Sequence, residues 1–188
     1  MIYNTIYSTT QIQDCNYLKE FMPKEWEPGT VLDLPENTEV PRDSDVHWID
    51  DADLMESLIE LTLKVQKDAG WDFEITEMET LQLTRYKPGG YYGWHTDTSI
   101  SIPEDGLVRK LSFSIWLNDP SEYTAGEMDF WVNTPKTSQL VASNYIKTEK
   151  GNKGHCVFFP GYIWHRVRPI LAGTRYSLVG WCRGPRWR

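Results

Sequence analysis

The spacing of apolar residues changes near position 70. Before that point Leu54, Leu58, Leu61 and Val65 recur at steps of four, three and four, and Met55 and Ile59 broaden the stripe. This is the one-sided period of an amphipathic helix. Asp50 or Asp51 supplies its start, Asp53 suits the positive N-terminal end, and Gly70 supplies its stop. A shorter helix is predicted from Thr9 or Thr10, acting as cap, to about Met22, with Ile12, Cys15, Leu18 and Phe21 on one side. Pro23 and Pro28 break it. Residues 27–44 carry three prolines and many acids and read as loop, with one short strand at 31–34; another short strand is predicted at 46–49.

After residue 70 the period falls to two. Residues 73–86, 91–99, 109–118, 127–132, 139–146, 155–159, 163–169 and 174–182 all read as strands. Turn signals separate them, notably Pro88-Gly89-Gly90, Asp119-Pro120, Pro160-Gly161 and Ala172-Gly173. About eight consecutive strands with no helix between them predict a sandwich or barrel, and a jelly roll has that strand count. The expected fold is mainly β with N-terminal helices (α+β). Its core would be a double-stranded β-helix, a cupin-like jelly roll packed by one or two helices. No linker divides the chain, so a single domain over 1–188 is expected, helical and loop-rich to about 70, with the jelly-roll core over about 71–183.

Composition narrows the function classes. With 188 residues the chain is long enough for a full core. Nineteen basic and 27 acidic residues give a formal net charge of −8, which opposes broad nucleic-acid binding. A small basic patch remains at Arg183, Arg186 and Arg188. Cys15, Cys156 and Cys182 are too few and too scattered for a disulfide framework or a C-x-x-C metal site. A reducing cytoplasmic location is the expectation. Residues 1–13 lack the pattern of a secretory signal, and no apolar run has the length of a membrane span.

Chemistry enters at His95-x-Asp97. In a strand, alternate side chains share a face, so both would project to one side with only Thr96 turned away. His165 lies far downstream in another strand-like run. Two histidines and a carboxylate can occupy one face of an octahedral metal, the facial triad of non-haem Fe(II) oxygenases. In the last hairpin Ile163, His165, Val167 and Pro169 share one face, and Arg175, Ser177, Val179 and Trp181 share the neighbouring one. A buried arginine needs a carboxylate or phosphate partner. No acid lies nearby on these two strands, and a bound dicarboxylate would solve that. Taken singly each residue has a plainer reading. A lone His-x-Asp is usually structural, Arg175 an ion pair, His165 a core histidine, and Trp164 and Trp181 packing. His47 and His155 have no spacing that joins the triad, and His155 reads as structural.

Three stretches carry a resemblance that spans roughly 77–183. They are R-Y-K-P-G-G-Y-Y-G-W-H-T-D, then R-K-L-S-F-S-I-W-L-N-D-P-S-E-Y-T-A-G-E-M-D-F, then F-F-P-G-Y-I-W-H-R-V-R-P-I-L-A-G-T-R-Y-S-L-V-G-W. In order and local wording the chain resembles the Fe(II)- and 2-oxoglutarate-dependent dioxygenases, specifically the prolyl 4-hydroxylase-like branch. The resemblance implies that His95, Asp97 and His165 ligate iron and that Arg175 pairs with the C5 carboxylate of 2-oxoglutarate. Ser177 completes an Arg-x-Ser pattern for the same carboxylate, Tyr86 contacts the co-substrate, and Met128 covers it. Tyr91, Tyr92 and Trp181 match positions near the substrate, and with Trp94 and Trp164 they offer rings for a pyrrolidine. One position departs from the pattern. Some members carry a co-substrate tyrosine where this chain has Trp116, and Ser112 or Ser114 are candidates to replace its hydrogen bond. Arg109 also recurs in the family and reads as structural.

The implied activity is hydroxylation of an unactivated C–H of a prolyl residue in a peptide or protein, giving succinate and CO2. The implied cofactors are Fe(II), 2-oxoglutarate as co-substrate and O2, with ascorbate (vitamin C) as reductant. A free amino acid or other small molecule is the alternative substrate. A non-catalytic jelly-roll binding module and a cupin with another metal are the competing classes. Nucleic acid is not expected as a partner, because Trp181 stands where demethylases of the superfamily tend to place a second arginine. Nor is a membrane.

Overall fold

The computed structural model describes residues 7–13, 15–31, 41–98, 103–135 and 142–187, without the side chains of 133–135 and 142–145. In chain order its elements are β1 (Ser8–Gln11), a 3-10 turn (Asn16–Phe21), β2 (Glu27–Pro28), β3 (Arg42–Asp43), β4 (Asp45–Ile49) and α1 (Ala52–Asp68). Then come β5 (Glu77–Met78), β6 (Leu81–Tyr86), β7 (Tyr91–His95), β8 (Leu107–Trp116), a 3-10 turn (Pro120–Glu122), β9 (Tyr123–Ala125) and β10 (Met128–Pro135). The chain closes with β11 (Ala142–Glu149), β12 (His155–Pro160), β13 (His165–Val167), β14 (Ile170–Gly173) and β15 (Arg175–Pro185). One sheet runs β1-β12-β8-β15-β6-β4-β2, with β5 also on β15. A second runs β11-β10-β13-β7-β3, and β14 pairs with β9 in a small third. The jelly-roll expectation holds.

The larger sheet is the wall on which both cores are built, and the period of two decides which residue goes where. From β6, β8 and β15 the residues Leu81, Leu83, Leu111, Phe113, Ile115, Leu178 and Cys182 point to one face. There they meet Leu54, Leu58 and Val65 of α1 and Leu18 of the first 3-10 turn. Asp51 caps α1 by accepting a 2.8 Å hydrogen bond from the Leu54 N–H. The buried stripe runs Leu54, Leu58, Thr62, Val65 rather than through Leu61. Thr62 is tolerated because its hydroxyl donates to the Leu58 carbonyl at 2.7 Å. The opposite face carries Tyr86, Trp116, Val157 and Phe159, which pack on Met128, Phe130 and Val167 of the second sheet. The space between the sheets is therefore apolar at one end. At the other it is lined by the polar residues of the same strands.

Several predicted elements shift. The helix expected from Thr9 or Thr10 to about Met22 is instead β1 followed by the short 3-10 turn. Ser8–Gln11 adds to the sheet edge opposite His155–Phe158, and the Ile12 N–H bonds the Gly154 carbonyl at 2.8 Å. The 3-10 turn lacks a side-chain cap and buries only Leu18. The run 73–86 divides into β5 and β6, and β9 and β14 form a ladder the sequence did not announce. Residues 32–34 of the predicted 31–34 strand, residue 99 of the second predicted strand and the 139–141 start of the fifth fall outside the described residues. Among the described residues, no helix is long and apolar enough to cross a membrane.

Gly173 fixes the start of β15. Its φ is +74°, and a Cβ there would lie 2.1 Å from the Glu122 carbonyl oxygen and 2.8 Å from Tyr123 Cα. Both neighbours are backbone and cannot swing away. Gly173→Ala should lower the unfolding free energy by about 2 kcal/mol, from left-handed strain plus overpacking. The change reads as a lower urea midpoint at unchanged slope. An unchanged midpoint would mean that the turn is not closed as described.

Candidate active site

The two histidines are brought together by strand register. β13 pairs antiparallel with β7, and His165 sits directly opposite His95. The next matched pair is Val167 with Tyr92, so three steps on β7 answer two on β13. This bulge breaks the simple alternation on β7. It lets Tyr92 and His95 both face inward, with Tyr92 stacked on the His95 ring at 3.6 Å and 10°. Trp94 turns to the other side, edge-on to the exposed Trp131 at 5.8 Å and under the Arg166 guanidinium at 4.7 Å.

Asp97 arrives by a different route from the one the sequence suggested. β7 ends at His95, and Asp97 lies in the turn that follows. The N–H groups of Asp97 and Thr98 both bond the Gly161 carbonyl, at 2.8 and 3.0 Å. The Thr98 hydroxyl donates to the Arg109 carbonyl at 2.7 Å. So pinned, Asp97 places Oδ1 3.8 Å from His95 Nε2 and Oδ2 3.5 Å from His165 Nε2. One donor atom from each of the three residues lies within 4.8 Å of the others.

The histidine tautomers follow from their partners. His95 Nδ1 lies 2.8 Å from the Gly93 carbonyl, and His165 Nδ1 lies 2.9 Å from the Ile163 carbonyl. A carbonyl only accepts, so each Nδ1 carries the hydrogen and each neutral ring turns an Nε2 lone pair inward. Burial pushes His95 down to about 3, with repulsion from His165 next in size. Burial works against the charge of Asp97, yet His165, His95 and Arg109 together hold its carboxyl below the usual range. With both rings neutral, the two Nε2 lone pairs and the carboxylate form an acceptor-only cluster. Such a set suits a divalent cation, and its N2O composition suits Fe(II).

Arg175 supplies a second unsatisfied group in the same cavity. It sits on β15 opposite Tyr86 of β6 and is 1% exposed. Its Nη1 donates to Ser177 Oγ at 3.3 Å, while Nε and Nη2 have no partner. No ion pair joins it to an acid among the described residues. The guanidinium carbon lies 5.1 Å from the Trp116 ring and 5.5 Å from the Tyr86 ring. A buried cation left this way costs several kcal/mol unless an anion pairs with it. A dicarboxylate reaching from a metal at the three ligand residues would satisfy it, so these residues fit both an iron and 2-oxoglutarate.

The shared cavity has a volume of about 1080 Å³. Its lining includes His95, Asp97, His165, Arg175, Ser177, Tyr86, Met128, Tyr92 and Trp181. Tyr91 and Trp94 do not line it: Tyr91 pairs with Asp43 at the sheet edge. Trp164 is half exposed and also lies off it. The bulge on β7 is the reason that one of the three aromatics before the triad reaches the cavity. Arg109, read from sequence as structural, is indeed tied to Glu79 by two bonds of 2.8 and 2.5 Å. It also lines the cavity and lies 4.0 Å above the Trp181 ring. His155 stands apart, 3.8 Å from Glu149 and behind Trp116.

Two wall residues, and one buried residue outside the lining, were not singled out from the sequence. Arg42 of β3 lies on the Tyr92 ring and donates to Ser44 and Gln82. Trp48 of β4 faces Trp181 at 6.2 Å. Tyr123 of β9 is buried with its hydroxyl unpartnered. Each comes from a short element that the N-terminal segment or a two-strand ladder brings in, and neither has a periodic signal.

The comparisons with known proteins agree with this geometry. Residues 81–183, just over half of the chain, match the family model described as the 2OG-Fe(II) oxygenase superfamily. A PKHD-type hydroxylase from Picosynechococcus is 32% identical over 104 residues, covering 55% of this chain and 42% of the relative. One from Crocosphaera subtropica is 30% identical over a segment of the same length and coverage. The chain thus spans about two fifths of the length of the curated relatives it matches. Among solved structures, a Pseudomonas putida prolyl-4-hydroxylase superposes with a TM-score of 0.65 at 19% identity, covering 96% of this chain and 94% of that one. A viral collagen prolyl hydroxylase from Paramecium Bursaria Chlorella virus-1, solved with 2-oxoglutarate, gives 0.64 at 17% identity, covering 96% and 97%. At such identity these two share the fold. Members of the matched family use Fe(II), 2-oxoglutarate and O2. On the match across residues 81–183, which holds all three converging ligands and the buried arginine, the chain belongs to the 2OG-Fe(II) oxygenase superfamily.

Proposed function

We propose that this chain is a single-domain dioxygenase that hydroxylates an unactivated C–H of a prolyl residue in a peptide or protein. The observation that carries the reading is one cavity holding both an acceptor-only His-Asp-His cluster and a buried, unpaired guanidinium. In this reading His95, Asp97 and His165 hold Fe(II), and Arg175 with Ser177 and Tyr86 holds the far carboxylate of 2-oxoglutarate. When bound, iron and co-substrate supply the oxidation that turns C–H into C–OH with O2, while 2-oxoglutarate becomes succinate and CO2.

The rest of the work belongs to the chain. Arg175 fixes the co-substrate by a charge-assisted pair, which sets its reach toward the metal. Met128, Phe159 and Val167 wall the site and exclude water from it. Tyr92 holds the plane of the His95 ring. No side chain is needed as a general base. The cavity lining also includes Trp181, Trp48, Thr30 and Val31, and its volume leaves room for an extended chain as well as a ring. Tyr92 and Trp181 are then the two aromatics from the predicted set that can border a pyrrolidine.

A peptide substrate is supported by the names of relatives and neighbours: PKHD-type hydroxylases, two prolyl hydroxylases, and a Trichoplax adhaerens prolyl hydroxylase in complex with a hypoxia inducible factor peptide fragment. The test is a panel of proline-containing peptides with Fe(II), 2-oxoglutarate and ascorbate under air. Gain of one oxygen on a prolyl residue, matched by succinate, is the expected result. Succinate formation with free amino acids and none with any peptide would replace the substrate with a small molecule.

A further inference from the structure

Among the described residues four arginines line the cavity, and three of them are accounted for. Arg175 faces the proposed co-substrate. Arg109 and Arg183 both reach Glu79, and Arg183 also pairs with Glu77 and Asp105. Arg42 is the exception. It lies on β3 opposite Tyr92 of β7. Its guanidinium carbon stands 4.7 Å from the Tyr92 ring, which in turn stacks on His95. Its Nε donates to Ser44 Oγ at 2.7 Å, its Nη1 to the Thr30 carbonyl at 3.1 Å and its Nη2 to Gln82 Oε1 at 2.8 Å. All three acceptors are neutral, and among the described residues no carboxylate pairs with it.

The bonds fix the head group and leave its charge unmet. A guanidinium carries five N–H groups, so two remain free to donate. The backbone closes over the side chain: a Cβ on Gly29 would lie 2.7 Å from Arg42 Nε and 2.5 Å from Ser44 Oγ. Fastening Thr30, Ser44 and Gln82 together needs donors but no charge. Elsewhere the chain pairs Arg85, Arg109, Arg166, Arg168 and Arg183 with acids. Gln82 adds to the same wall. It is 5% exposed and lines the cavity beside Thr84. An arginine only donates, so the Gln82 atom facing Arg42 is the amide oxygen. That oxygen also accepts from the Thr84 hydroxyl at 3.3 Å. The amide NH2 meets no acceptor among the described residues, and it is not one of the sealed, unpartnered atoms. Arg42 and Gln82 thus offer the cavity N–H groups and a positive charge, the complement of a carboxylate.

Resting on the proposed function, we infer that Arg42 and the Gln82 amide form an anion subsite for the substrate, which takes a carboxylate close to the residue being hydroxylated. Tyr92 lies between this subsite and His95, so the carboxylate docks one ring away from the metal ligands. It is supplied by an acidic side chain beside the reacting residue or by the C-terminus of the substrate.

Binding tests this without turnover. Load the protein anaerobically with Fe(II) and saturating 2-oxoglutarate, and follow the heat of peptide binding. The probes are short peptides of one length with a central proline. Each flanking position carries glutamate or glutamine in turn, and the C-terminus is free or amidated. One glutamate position, or the free C-terminus, should bind about tenfold more tightly than its neutral counterpart, the worth of a hydrogen bond to a charged group. Which of the two shows the gain identifies the source of the carboxylate. Gln82→Glu is the decisive variant. It keeps the oxygen that accepts from Arg42 and Thr84, and it supplies the acid that Arg42 lacks. The tenfold preference should fall below twofold, with a 2-oxoglutarate titration as the loading control. Arg42→Met should remove the preference too, and stands in if Gln82→Glu does not fold; Arg42→Lys should keep part of it. A preference that survives Gln82→Glu overturns the subsite. So does equal binding of charged and neutral peptides at every position, or no binding of either. The same peptides with alanine for proline separate the two readings. An acid preference equal in both series keeps the subsite and removes the prolyl substrate. Proline-dependent turnover with no acid preference does the reverse.

Discussion

Replacing His95 with alanine should abolish stoichiometric Fe(II) binding. Three protein ligands are the minimum for a facial site, and no fourth His, Cys, Asp or Glu joins this cluster among the described residues. Outer partners of metal ligands are alone worth about 10–100-fold in affinity, and a direct ligand is worth more than that. The loss cannot be made good by a shift of its neighbours. His165 is held between the Phe159 and His95 rings, at 4.6 and 4.1 Å, and Asp97 is fixed through its backbone to Gly161. The fold should survive, because His95 closes β7 at its end and its ring packs toward the cavity. An anaerobic Fe(II) titration, with circular dichroism as control, reads the result. A variant that folds and still binds one iron would remove His95 from the site.

The sequence pattern and the structure agree where local chemistry decides and part where distant strands do. The α1 helix, the turn glycines and the alternation of β6, β15 and residues 111–116 of β8 are local, and were legible. So was the coincidence of His165, Arg175 and Ser177 on inward faces, since β15 keeps one phase along its length. The segment near Ile12, Cys15 and Leu18 reads as helix by spacing, yet Ser8–Gln11 is a strand because β12 offers it an edge. That offer is written about 145 residues away. The approach of Asp97 is similar in kind. Its position comes from Gly161 across the fold and not from alternation along β7. The bulge that turns Tyr92 in and Trp94 out is visible only once β13 is laid beside β7. Tyr123 was invisible for the same reason, since a three-residue strand carries too little pattern to announce where its side chain is buried.

Arg175→Ala should weaken 2-oxoglutarate binding by two to three orders of magnitude, and the protein itself should not become less stable. The two halves have one cause. Without ligand, the folded protein holds a guanidinium at 1% exposure with two of its nitrogens unpaired. Truncation relieves that desolvation, which offsets the packing lost round the aliphatic stem. With ligand, the far carboxylate would enter a buried site lacking its cation. Breaking a buried pair in this way costs about 3–5 kcal/mol, or roughly two to three and a half orders of magnitude in affinity. A thermal shift separates the two halves. The unmodified Fe(II) protein at 100 times its Kd for 2-oxoglutarate should gain about 2.7 kcal/mol. The variant at the same concentration should gain almost nothing from an equal or higher starting point. A variant that starts lower and still gains in full would make Arg175 a structural residue. The carboxylate partner would then have to be sought elsewhere on the cavity wall, with Arg42 and Arg109 as the next cations to test.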